Sequence, residues 1–297
     1  MGKILIGTSS WADHSLVESG RFYPPEIKTA AERLRYYANE FPIAEIDSTY
    51  HFFPTNQNLE LWLGNTPSGF TFDVRVFSMF TGHPTQFRSL PRSVREENPV
   101  LAEHKGPLYL HHLSKETVDK LWNIFAGQVE QIEKAGKLGV ILFQFPPWFH
   151  PSKENYAYIE SCCERFPNKE VAVEFRTPGW LTGDTLKETL AFLRSHEMAL
   201  VCVDEPQGMK TSVPPVAEIT EKTGIVRFHG RNAEAWEKKD IMAEERFHYL
   251  YSRKELQNWL PDLRRMAETA EKVHVIFKNK SEDFPVQNAR MLKELLG

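Results

Sequence analysis

Four stretches of this 297-residue chain place ionisable side chains two apart: Glu45 and Asp47, Asp73 and Arg75, Glu174 and Arg176, and Arg227 and His229. Side chains alternate along an extended chain, so each pair shares one face of the strand that carries it. The surrounding residues are apolar, and a buried charge is costly unless it is paired or used. Carboxylates so placed can move protons or ligate a cation. Arginines hold phosphate or carboxylate in a planar fork, and histidine titrates near neutrality. Gln144 closes GVILFQF, Asp204 stands in ALVCVDE, and Lys278 and Asn279 close KVHVIFKN.

These residues need elements to position them. Apolar runs with strand character recur at 3–9, 44–49, 70–76, 139–145, 170–176, 199–205, 224–230 and 272–279. Most gaps between them carry apolar residues at helical spacing, over 29–41, 114–136, 185–198, 252–272 and 285–296. Two more helices are predicted over 57–65 and 153–166. Thr55, Ser114, Ser152 and Ser252 stand where N-caps would help, and Pro261 is expected to kink or break the last long helix but one. Near-continuous apolar strands alternating with helices predict a parallel sheet covered on both faces. Eight such units in this length predict a single (β/α)8 TIM barrel over 1–297, with a long β3–α3 loop insertion at 77–113. That insertion reads as irregular, basic and polar, and a second long loop, 231–251, follows strand seven. No GxGxxG follows the first strand, so no nucleotide cofactor motif is present.

The outer face of a barrel strand packs against helices, so the charges are expected to point inward at the C-terminal mouth. By alternation the inward acids are Glu45, Asp47, Asp73, Glu174 and Asp204, facing Arg75, Arg176, Arg227 and Lys278. Lys278 and Asn279 lie on opposite faces, and alternation alone does not say which points in. A lattice of ion pairs that merely fills the barrel is the competing reading, with Asp73 and Arg75 expected to pair. So many buried charges are a poor stability device, which favours a ligand site over the lattice.

Composition adds limits. A net charge of −4 makes no global demand for nucleic acid or an anionic membrane. Cys162, Cys163 and Cys202 suggest no disulfide framework, and no apolar stretch approaches membrane-span length. A cytoplasmic protein without a membrane partner is expected.

The segments IGTSSW (6–11), EIDSTYHFFP (45–54), LGVILFQFPPWF (138–149), VAVEFRTPGW (171–180), VDEP (203–206), VRFHGR (226–231) and VIFKNKSEDFPVQNA (275–289) resemble the YecE-like family. The resemblance covers essentially the whole chain and implies a TIM barrel of a family without an established function. It implies no reaction. The family pattern usually carries Asn where this chain has Asp47, His at Thr177, and Asn-Asn at Lys278 and Asn279.

From the residues, an enzyme of hydrolase, lyase or isomerase type is expected, acting on a small phosphate- or carboxylate-bearing ligand. Glu174, Asp204 and His229 are its expected acid, base or ligand groups, with His229 the proton shuttle. Arg176 and Arg227 would hold the anion beside Glu45 and Asp47. Gln144 and Asn279 would orient it, and Trp11, Tyr50 and Trp180 would wall the pocket. A divalent-metal hydrolase, endonuclease-like or isomerase-like enzyme is the first alternative, with Glu45, Asp47, Glu174, Asp204 and His229 as ligands, although no HxxxE, HExxH or CxxC cluster exists. A non-catalytic barrel that binds sugar or nucleic acid is the second, using loop aromatics and Arg88, Arg92 and Arg95, which Glu96 and Glu97 offset. Strands four and seven end in Gln144 and His229 rather than the carboxylate pair of a retaining glycosidase.

Overall fold

A computed structural model describes residues 1–238 and 240–297. Eight strands form one closed barrel in chain order: β1 Lys3–Ser9, β2 Ile43–Ile46, β3 Thr71–Arg75, β4 Leu138–Gln144, β5 Val171–Glu174, β6 Met198–Asp204, β7 Thr223–Phe228 and β8 Lys272–Phe277. Every neighbouring pair is parallel, and β8 closes onto β1. All eight predicted strands are present. The (β/α)8 barrel follows from strands apolar on both faces, which are stable only with helices packed outside.

The helices begin where their caps allow. Thr55, Ser114, Ser152 and Ser252 each accept the backbone N–H three residues on. Thr29 does the same before Ala30–Glu40, in a reciprocal capping box with Glu32. Pro261 does not break its helix, which runs unbroken over Arg253–Thr269. Its buried face of Leu256, Trp259, Leu263, Met266 and Ala267 outweighs one missing backbone hydrogen bond. The β6–β7 crossover, 205–222, contains no helix. Thr220 secures it by accepting from the Leu200 N–H at 2.8 Å and donating to the Met198 carbonyl at 2.7 Å.

The 77–113 insertion is a chain of short helical turns around a bridge between Thr85 and Leu108. It buries Met79, Phe80, Leu90, Val94 and Leu108, so it is packed onto the barrel rather than wholly irregular. Phe80 stacks on Trp122 with ring centroids 3.7 Å apart. The 231–251 segment contains the short helices Ala233–Trp236 and Ala243–Arg246. Inside the barrel only a small apolar cluster of Leu5, Ile43 and Ile276 stands apart from the main core. Leu142, Ala172, Val201, Val203 and Ile225 also face inward, alongside the polar side chains of the strand ends.

Candidate functional site

Arg227 sits at the centre of the barrel, fully buried. Its Nε donates to Glu45 Oε2 at 2.9 Å and its Nη2 to Glu45 Oε1 at 2.7 Å. Its Nη1 reaches Glu174 and donates to Gln144 Oε1 at 3.1 Å. Burial alone would raise both carboxyl pKa values, but Arg227 holds Glu45 below and Glu174 well below the usual carboxylate range. Glu174 is also 3.3 Å from Arg176 and 3.1 Å from His229. Three strand ends are thereby tied to one guanidinium.

A second group lies beside it. Asp47 accepts from Arg75 at 2.7 Å, from Lys278 at 2.8 Å and from Lys280 at 2.7 Å. Arg75 lies over the Tyr50 ring, 3.6 Å from its centroid. These side chains form the floor of a cavity of about 730 Å3 at the C-terminal mouth. Gln144, Arg176 and His229 continue the floor, and Tyr50, Trp148 and Trp236 wall it. Among the described residues around this cavity, seven cationic side chains face two carboxylates, Asp47 and Glu237. Arg75, Arg176, Lys278 and Lys280 come from strand ends, and Lys210, Lys238 and Arg246 from the loops after β6 and β7. The net charge of the whole chain is −4, so positive charge is concentrated here against the overall balance.

The expected convergence of strand-end charges is present, but several members play other parts. Asp204 points outward. It pairs in register with Phe228, while Val203 pairs with the inward Arg227. Its carboxylate is filled by Arg231 at 2.8 and 2.5 Å, the Tyr251 hydroxyl at 2.6 Å and Trp259 Nε1 at 2.8 Å. The inward acid after β6 is Glu205, one residue on, 3.0 Å from Arg176 and accepting from Val213 N–H at 2.7 Å. Asn279 also points away from the cavity, donating to the Tyr249 carbonyl and to Asn288; Lys278 is the inward residue. Arg227 and Glu174 lie beneath the floor with their groups committed to each other, so neither faces the cavity. Trp11 packs on Trp62 and Phe72, and Trp180 is stacked between Phe149 and Phe175. Both are core, and Tyr50 alone of the three expected aromatics reaches the cavity. Asp73 does not pair with Arg75: it binds His274 Nδ1 at 3.0 Å and accepts from Val140 N–H at 3.0 Å.

Titration follows burial. His229 is 1% exposed, and burial outweighs the pull of Glu174, lowering its pKa to about 3. It is a neutral ring at pH 7, not the shuttle expected from its ordinary value. Neither ring nitrogen makes a well-directed hydrogen bond, although Nε2 stands 3.1 Å from Glu174 Oε1. Lys278 is lowered to about 7, by burial first and by repulsion from Arg75 next. Glu205 is raised to about 7, because burial exceeds the attraction of Arg176. These two groups, rather than His229, change charge near neutrality.

Among the described residues, no three His, Cys, Asp or Glu side chains gather as a metal-holding set. The donor chemistry explains this. Glu45, Asp47 and Glu174 each already contact two or three cationic groups, and a divalent ion would have to displace them. The Glu45, Asp47, Glu174, Asp204 and His229 set therefore does not fit a divalent metal. Of the basic loop residues, Arg92 pairs with Glu96 at 2.7 Å and Arg95 donates to the Leu90 carbonyl. Both line a separate surface cleft, not the mouth. No helix among the described residues is long and apolar enough to cross a membrane.

The fold and site define a (β/α)8 barrel with a cationic cavity at its C-terminal mouth. The chain belongs to the family described as "Protein of unknown function DUF72", matched over residues 5–297 and the same family as the YecE-like resemblance. It is 33% identical to UPF0759 protein YunF of Bacillus subtilis (strain 168), over 99% of this chain and 94% of that one. A DUF72 protein (EF0366) of Enterococcus faecalis V583 superposes with a TM-score of 0.78 at 26% identity, covering 99% of this chain and 95% of the other. A DUF72 protein (TM1631) of Thermotoga maritima MSB8 superposes at 0.75 with 29% identity, covering 99% of each chain.

Proposed function

We propose that this protein is an enzyme acting on a small phosphate- or carboxylate-bearing molecule held at the barrel mouth. The observation that carries this reading is the cavity's excess of cations: seven against two carboxylates, one of which, Asp47, is already shared by three of them. Arg176 is also paired with Glu174 and Glu205, and Lys280 with Asp13, but Lys210, Lys238 and Arg246 have no carboxylate within ion-pair reach among the described residues. Like charges so gathered repel, and an anion between them would stabilise the arrangement. Arg176 and Arg75 offer planar donors to the anion, with Lys280 beside them. Arg75 Nε is buried without a partner. Gln144 gives its oxygen to Arg227, so its amide N–H groups remain for the ligand. The neutral His229 offers one further donor or acceptor. Lys278 and Glu205, both titrating near neutrality, are the groups able to exchange protons.

Thermal shift with inorganic phosphate, pyrophosphate and citrate tests the reading. Pyrophosphate or citrate should raise Tm at low ionic strength, with a smaller rise in high salt. Arg176→Ala and Lys280→Ala should each weaken binding by about tenfold, as loss of a charge-assisted contact does. No stabilisation by any anion, with stabilisation by neutral sugars instead, would turn the reading to a sugar-binding barrel.

A further inference from the structure

Lys278 is the one strand-end lysine of the barrel floor whose ammonium charge the neighbouring carboxylates do not require. Glu45 keeps both contacts of the Arg227 fork. Asp47 keeps Arg75 on Oδ1 and Lys280 on Oδ2. Around Lys278 the carboxylates of Glu45, Asp47 and Glu174 face the permanent cations Arg75, Arg176, Arg227 and Lys280. Counting Glu205 on Arg176 and Asp13 on Lys280, that group is balanced to within one charge before Lys278 is added. Glu45 and Asp47 each keep a cation without it, so a neutral amine leaves neither carboxylate orphaned. Lys278 lies at the end of β8, 4% exposed, and lines the cavity. Lys280 differs: it is held by Asp47 at 2.7 Å and Asp13 at 3.5 Å, which keep its charge.

Resting on the anion-site reading, we propose that Lys278 is a nucleophile that forms a Schiff base with the carbonyl of an anionic aldehyde or keto compound. The Nζ lone pair attacks the carbonyl carbon, the C–N bond forms and the C=O π pair moves to oxygen. Asp47 Oδ1, 2.8 Å from Nζ, holds the amine in place, while solvent takes a proton from nitrogen and returns one to that oxygen. A second proton, from solvent, lets the carbinolamine C–O bond break with loss of water, leaving a C=N⁺ iminium. The net reaction is amine plus carbonyl plus one proton giving iminium plus water. The ligand's phosphate or carboxylate, on Arg176 and Arg75, offsets the positive charge that the iminium restores. The lowered lysine pKa, about 7, supplies free amine at neutral pH.

Borohydride trapping tests this on the full chain. Glyoxylate, pyruvate and dihydroxyacetone phosphate serve as probes, with intact mass and peptide mapping as readouts. A reduced adduct at Lys278, formed about tenfold faster than at other lysines and abolished in Lys278→Met, supports the proposal. Its rate should rise with pH through about 7. Adducts spread evenly over surface lysines, or an unchanged adduct in Lys278→Met, overturn it. Pyrophosphate binding, followed by thermal shift in the same Lys278→Met protein, separates the two readings. Retained binding without any Lys278 adduct in the wild type sinks the Schiff base and leaves the anion site. Loss of both in the wild type sinks both. Lys278→Arg, which keeps the charge and removes the nucleophile, shows the same loss of adduct with the fold retained.

Discussion

Arg227 lays its guanidinium edge along Glu45, Nε to Oε2 at 2.9 Å and Nη2 to Oε1 at 2.7 Å, with both side chains sealed inside the barrel. The fork crosses from β7 to β2, nearly opposite in the strand order, so it links strands that share no backbone hydrogen bond. Arg227→Met would leave Glu45 and Glu174 buried without their main partner. A loss of about 3–5 kcal/mol is expected, read as a lowered urea midpoint. An unchanged midpoint with lost anion binding would return Arg227 to the ligand.

Asp204 is a brace and not a reacting group. It receives Arg231, Tyr251 and Trp259, joining β6 to the segment that leads into the Arg253–Thr269 helix and to that helix itself. Asp204→Asn keeps the size but loses acceptors and charge. About 2–4 kcal/mol should be lost, with anion affinity of the folded protein unchanged within about twofold. A stable variant with no anion affinity would contradict this assignment.

Why the sequence misplaced Asp204 is physical. In ALVCVDE both faces are apolar, because a parallel barrel strand is buried on both sides. Alternation gives two faces but does not label them, so Asp204 and Glu205 could not be told apart. Lys278 and Asn279 posed the same problem. β5 and β7 were readable because Glu174 with Arg176, and Arg227 with His229, mark one face twice. Caps were also legible, since a Ser or Thr before an apolar-periodic run acts locally. Trp11 and Trp180 were not, because their burial depends on which neighbours the chain brings from elsewhere. Arg231, in the quoted VRFHGR, and His274, in KVHVIFKN, were visible as residues. Their partners Asp204 and Asp73 lie 27 and 201 positions away. Positions 47 and 278, two of those where the resemblance to the YecE-like family implies Asn, meet in the structure: Asp47 and Lys278 are 2.8 Å apart and form a charge pair.

Gly139 marks the irregular register between β3 and β4. A Cβ there would collide with Asp73 Oδ1 and stand 2.7 Å from Thr71 Cγ2. Asp73 cannot yield without losing His274 and the Val140 N–H. Gly139→Ala should cost about 1–3 kcal/mol by overpacking, seen as a lower Tm. Equal Tm values for variant and wild type would mean the strands part there at little cost.

Glu205 sets a pH signature. Its folded pKa, about 7, lies above the ordinary 4.5 because burial exceeds the attraction of Arg176 and the Val213 hydrogen bond. Between those values the folded state holds a proton that the unfolded state has released. The stabilisation is therefore complete below about pH 4.5 and is lost as pH rises through about 7. His229 acts oppositely: its lowered value makes stability fall as pH drops below its ordinary 6.5. Comparing Glu205→Gln with wild type at each pH removes that contribution, since His229 is common to both. The Gln variant cannot ionise, and its oxygen can still accept from Val213. Its stability relative to wild type should therefore improve by on the order of 1–3 kcal/mol between pH 4.5 and pH 8, the linkage expected for a buried carboxyl shifted this way. Urea midpoints at the two pH values measure it. Parallel shifts at both would mean that Arg176 neutralises Glu205 fully, and that the carboxyl is ionised throughout and exchanges no proton near neutrality.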